Sequence, residues 1–185
     1  MTTGEITDPI YMYSGTEMSG KDSESSRRLL SDLKGVFHDE AAFETMDPET
    51  EVYHVQSVMP VPQGTRAGLF MGITFLQSGK VGDEYFMTKG HFHRKADSPE
   101  YYWCTRGEGM LILMDRNRKV SAQRMYPGSL HYIEPGIAHR VANTGSTQLI
   151  FGACWPSDAG HDYETIAREG FAMRLVERDG RPQLV

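Results

Sequence analysis

The chain has 185 residues, with 19 Lys and Arg against 25 Asp and Glu, for a formal net charge of −6. That balance argues against a nucleic-acid surface, and an anionic substrate would need a metal or a local basic cluster to offset it. The length suits one domain with a sizeable core, and no apolar run approaches a membrane span. The start Met1-Thr2-Thr3-Gly4-Glu5 lacks the basic and apolar parts of a secretory signal. Cys104 and Cys154, the only cysteines, fall in apolar runs, as buried thiols do in a reducing compartment. A cytoplasmic, soluble protein is expected.

Residues 1 to about 25 are polar and rich in Gly and Ser, which suits an arm or surface strap. Arg27-Arg28-Leu29-Leu30 pairs charge with apolar anchors and reads as a solvated face of that strap. Asp39 to Met46 predicts a short helix with Asp39 as N-cap and Pro48 beyond its end. From residue 51 the pattern turns to strands: 52–58, 69–76, 85–88, 101–104, 109–114, 121–125, 129–133, 139–143 and 148–155. Turns carrying Gly, Pro or Asn separate them, which fits an all-β barrel or sandwich without a repeat of fixed period. A helix over 162–169 stopped by Gly170, then a strand over 171–176, close the pattern. Residues 1–50 are expected as an arm and short helix packed on a barrel formed by 51–185.

The chemistry concentrates in Thr88-Lys89-Gly90-His91-Phe92-His93 and the following Glu100-Tyr101-Tyr102. Strand alternation puts residues i and i+2 on one face, so His91 and His93 can address one ion. Glu100 opens the returning strand, and the turn Pro135-Gly136 delivers His139 to a later one. Three imidazoles and a carboxylate suit a divalent first-row metal. His38, His54 and His131 have no partner at ligand spacing and read as ordinary surface or core residues. The 11 methionines read as core filling, and Arg94-Lys95 as a solvated turn.

These residues resemble the cupin double-stranded β-helix, a jelly-roll barrel with its site inside. Ser31-Asp32-Leu33, Gly79-Lys80-Val81-Gly82, Thr88-Lys89-Gly90-His91-Phe92-His93, Ala138-His139-Arg140 and Asp158-Ala159-Gly160-His161-Asp162-Tyr163 narrow the match. They are similar to the cupin-type glucose-6-phosphate isomerases of archaea and some bacteria, over about residues 27 to 176. The resemblance implies metal ligation by His91, His93, Glu100 and His139. It implies phosphate contacts at Tyr53, Thr74, Thr88 and Gly90, and sugar contacts at Tyr102 and His161. One position departs: Trp155 stands where that family has a cavity-lining tyrosine, leaving an indole N–H and more bulk in place of a phenol.

The expected activity is interconversion of glucose 6-phosphate and fructose 6-phosphate, with one divalent ion per subunit. Fe²⁺ is expected first, with Mn²⁺, Zn²⁺ or Ni²⁺ as alternatives. Glu100 is the candidate base if hydrogen moves as a proton, and His161 the candidate donor to the ring oxygen; direct hydride shift stays open. Two other functions fit the same ligand set: a non-haem iron oxygenase, and a sugar-phosphate sensor without turnover. A homodimer is expected, because such barrels often cover an open sheet edge with a partner.

Overall fold

The computed structural model describes residues 9–21 and 23–185, so residues 1–8 and 22 of the expected arm lie outside the described residues. Two short strands open it, β1 (Tyr11–Tyr13) and β2 (Met18–Gly20), followed by β3 (Ser23–Leu29) and a 3₁₀ turn over Leu30–Leu33. Helix α1 (Glu40–Thr45) precedes the long pair β4 (Glu51–Val58) and β5 (Leu69–Leu76). Next come β6 (Lys80–Val81), β7 (Glu84–Tyr85), β8 (Phe92–His93), β9 (Glu100–Arg106) and β10 (Gly109–Met114). β11 (Val120–Met125), β12 (Leu130–Ile133), β13 (Ala138–Asn143) and β14 (Leu149–Pro156) follow. The chain then forms β15 (His161–Asp162), α2 (Tyr163–Glu169), β16 (Leu175–Arg178) and β17 (Arg181–Leu184).

The fold is predominantly antiparallel β. The main sheet has six strands in the order β12-β9-β14-β5-β4-β3, and β11-β10-β13 forms a second sheet. Single bridges Met87↔Ala142 and His91↔His139 tie the segment before β8 to β13. No sheet closes on itself among the described residues, so the expected barrel is present as open sheets whose inner faces share one core. Alternation drives this: in β9, Glu100, Tyr102 and Cys104 are buried while Tyr101 is exposed. Inner residues such as Phe151, Leu76, Leu111 and Val141 meet in that core.

Both helices start as their caps dictate. Asp39 accepts from the Ala42 N–H at 2.8 Å, and Asp162 from the Thr165 N–H at 3.1 Å. Three expectations change. Residues 23–29, read as part of a strap, are the outermost strand of the main sheet, with Arg28 opposite Tyr53. Its Ser- and Arg-rich composition is that of a charged edge strand, which deters pairing with other chains. The strand expected over 85–88 ends at Tyr85, and the residues after it pair with β13 only through the single Met87↔Ala142 bridge before Gly90 at φ +77°. The last strand starts at Leu175 and forms a hairpin with Arg181–Leu184, where the edge position tolerates Pro182.

Candidate metal centre and its cavity

β8 and β9 are joined by the polar turn from Arg94 to Pro99, which sets His93 beside Glu100. The His91↔His139 bridge brings β13 alongside, and His91, His93, Glu100 and His139 offer ligand atoms all within 4.8 Å of one another. Glu100 Oε2 lies 3.1 Å from both His93 Nε2 and His139 Nε2, close enough for the three atoms to address one ion.

Orientation comes from the backbone. His93 Nδ1 contacts the Ser98 carbonyl at 2.8 Å and His139 Nδ1 the Ile137 carbonyl at 3.2 Å, which turns each Nε2 inward. Nε2 of His91 and of His139 are buried without a hydrogen-bond partner, and the His139–Glu100 pair is close but not aligned as a hydrogen bond. Buried polar atoms normally find partners. His131 shows the contrast: equally buried, it is satisfied on both nitrogens by Gln123 and Ser129. The orphaned nitrogens converge on one point, and the donor set fits a divalent transition metal.

Burial and the neighbouring imidazoles hold His91 well below the usual histidine range, so it is neutral and ready to ligate. Burial also pulls on His93, but the Glu100 carboxylate and the Ser98 carbonyl outweigh it and raise its pKa. For Glu100, burial favours the neutral acid, yet His139 and His93 prevail and keep the carboxylate below its ordinary value.

The cluster forms one end of a cavity of about 210 Å³. All the residues expected at the site except His93 line this cavity, His93 completing the cluster behind it. β15 carries His161 there by pairing with β8, and its ring meets that of His91 edge to face, centroids 4.4 Å apart. Lys95–Asp158 at 2.8 Å and the Lys95 N–H to Ala159 carbonyl bond zip this segment to the β8 turn. Burial lowers the His161 pKa. Tyr53, Thr74, Thr88 and Gly90 line the same cavity. Thr88 Oγ1 accepts from the Val141 N–H at 3.0 Å, which leaves its O–H free to donate. Burial keeps Tyr53 and Tyr102 protonated, raising the pKa of both. Trp155 lies over Gly72, where a Cβ would stand 3.1 Å from its ring; the glycine makes room for the indole.

Among the lining residues not assigned to the site from the sequence are Arg28, Lys89 and Tyr163. Arg28 looked solvated because β3 was not recognised, and its register opposite Tyr53 was the missing signal. Lys89 lines the cavity just before Gly90, whose φ is +77°. Tyr163, 5.2 Å from the His91 ring, has its pKa pushed up to about 12 by burial. Arg28 and Lys89 supply the local positive charge that a chain of net charge −6 needs toward an anion.

Residues 27–184 match the family described as glucose-6-phosphate isomerase (GPI). The chain belongs to that family. It is 42% identical to the glucose-6-phosphate isomerase of Thermococcus litoralis over 162 residues, 87% of this chain and 85% of the relative. With the glucose-6-phosphate isomerase of Pyrococcus furiosus the identity is 41% over 165 residues, 88% of this chain and 86% of the relative. The family thus spans the sheets that carry the metal cluster and the cavity. No helix of the described residues is long and apolar enough to cross a membrane.

Proposed function

We propose that the chain is a metal-dependent aldose–ketose isomerase interconverting glucose 6-phosphate and fructose 6-phosphate. The observation that carries this reading is one cavity lined both by a four-donor cluster suited to a divalent metal and by hydroxyl and N–H donors. A sugar phosphate has the matching polarity, with a carbonyl at one end and a dianion at the other. The site residues take roles accordingly: His91, His93, Glu100 and His139 hold the ion; Tyr53, Thr74, Thr88 and Gly90 take the phosphate; Tyr102, Trp155 and His161 line the sugar. Fe²⁺ is the first candidate, then Mn²⁺, Zn²⁺ or Ni²⁺. When bound, a divalent ion supplies Lewis-acid polarisation of the sugar carbonyl.

The protein's own groups do the rest. His161 donates toward the ring oxygen and helps open the pyranose. Glu100 Oε2 is engaged by His93 and His139, while Oε1 has no hydrogen-bond partner among the described residues and is available to take the C2 proton. Tyr102, kept neutral by burial, donates to a developing oxyanion. Trp155 and Phe151 close the apolar side and exclude water.

The sheets are read as a cupin double-stranded β-helix over 51–185, to whose main sheet β3 adds an edge strand. Free thiols at Cys104 and Cys154 support a reducing, cytoplasmic setting. A homodimer is supported by the open edge at β12, where Tyr101, Leu130 and Tyr132 are exposed at 46%, 66% and 47%. The test is a coupled assay from fructose 6-phosphate on chelated protein and after adding each ion. Turnover lost on chelation and restored by metal is expected. No turnover with any ion in folded, loaded protein would overturn the reading, and oxygen uptake would then identify an oxygenase.

A further inference from the structure

Arg140 on β13 is only 7% exposed, pairs with no carboxylate among the described residues, and leaves Nε without a partner. A buried charge without a directly paired counterion is costly, Glu84 acting on it only at longer range, so its retention needs a reason. Arg140 touches the short segment Met87–Lys89 and the Phe171 ring. Nη2 donates to the Lys89 carbonyl at 2.8 Å, Nη1 contacts Met87 Sδ at 3.1 Å, and the guanidinium lies 4.2 Å over the Phe171 ring.

That segment leads into Gly90, and the consequence follows from peptide geometry. A trans peptide points its C=O and its N–H in opposite directions, and the chain has no cis bonds. With the Lys89 carbonyl held on the Arg140 side, the Gly90 N–H faces the other way, toward the cavity that Gly90 lines. The Gly90 N–H makes no hydrogen bond among the described residues, and the Lys89 N–H reaches toward the Tyr53 phenol at 3.5 Å on the same side. Successive N–H groups around a positive-φ residue form a concave array that takes an anion. Gly90 meets both demands of the site: φ is +77°, and a Cβ would stand 2.9 Å from Arg140 Nε and 3.0 Å from Phe171.

We propose that Arg140 is a positioning residue for a phosphate group bound at Thr88–Gly90. Its hold on the Lys89 carbonyl aims the Gly90 N–H into the cavity, and the phosphate supplies, across that peptide, the negative charge Arg140 otherwise lacks. The sugar-phosphate identity of the ligand rests on the isomerase reading; the anion site itself does not.

The test compares the parent chain with Arg140→Met, Arg140→Lys and Phe171→Leu. Inorganic phosphate is titrated calorimetrically into metal-loaded and metal-free protein, the metal-free series excluding binding at the ion. KM and kcat for fructose 6-phosphate and the metal content are measured alongside. Arg140→Met should weaken phosphate and raise KM together, by roughly ten- to hundredfold, with kcat and metal content at parent values. Arg140→Lys should recover part of this, since it keeps the charge and loses the planar fork. Phe171→Leu should give a smaller parallel shift. Parent-like phosphate binding in Arg140→Met, or in Arg140→Lys should the Met variant fail to fold, would overturn the proposal. A loss confined to kcat or metal content, or no phosphate binding by the parent, would overturn it too. If the parent binds phosphate but does not turn over fructose 6-phosphate, the isomerase reading falls and the phosphate titrations still decide the role of Arg140.

Discussion

The two ends of the cavity are built by opposite strategies. The metal end draws three of its four ligands from ten consecutive positions, His91 to Glu100, and the fourth from the adjacent β13. The residues proposed for the phosphate, with Arg28 beside them, come from separate segments of chain: Arg28, Tyr53 and Thr74 are joined by sheet register, and Thr88 lies just before the glycine of positive φ, Gly90. A metal demands particular atom types at short mutual distances, and a hairpin meets that demand cheaply. A phosphate accepts any well-aimed hydroxyl or N–H, so its site can be assembled from residues that are unremarkable one by one.

Substitutions at the two ends should therefore fail differently. The largest effect is expected for Glu100→Gln, which removes the base and a ligand: kcat should fall by about 10²–10⁴, with metal content falling too. Coupled-assay kinetics beside metal analysis would check it, and a variant with raised KM alone would erase the contrast. Thr88→Val should do the reverse, raising KM roughly tenfold through loss of one donor to a charged group, with metal content unchanged. A smaller, coupled effect is expected where Trp155 rests on Gly72. Gly72→Ala should displace the indole in the parent but be nearly neutral beside Trp155→Tyr, a coupling of about 0.5–1.5 kcal/mol in a double-mutant cycle on kcat/KM.

His131 sharpens the comparison from outside the cavity. Burial holds its pKa below the ordinary 6.5. As pH falls through that value the unfolded chain binds a proton that folded His131 resists, so stability declines on acidification. His131→Gln should lose this part of the slope, seen in urea unfolding at about pH 7.5 and about pH 5.5. An unchanged slope would assign the acid sensitivity to other groups.

The same division explains what could be read from the sequence. Strand alternation and ligand spacing carried His91, His93, Glu100 and His139, because those constraints are local in the chain. The family strings added Tyr53, Thr74 and Trp155, which periodicity would have left as core. Arg28 was illegible because a Ser- and Arg-rich edge strand lacks the hydrophobic pattern that announces strands. Lys89 was not singled out because it lies outside any strand, where alternation says nothing of which side a residue takes. Arg140 looked like any charged residue in a strand, since its burial depends on Phe171 and Lys89 arriving from distant segments.

The most direct test of the two-ended cavity is the ³¹P relaxation of glucose 6-phosphate bound to the Mn²⁺-loaded protein. A phosphorus nucleus clearly relaxed by the ion, yet too distant for direct coordination, would place the phosphate at the Thr88–Gly90 end with the carbonyl toward the cluster. A phosphorus–manganese distance short enough for direct coordination would contradict this arrangement and put the phosphate on the metal.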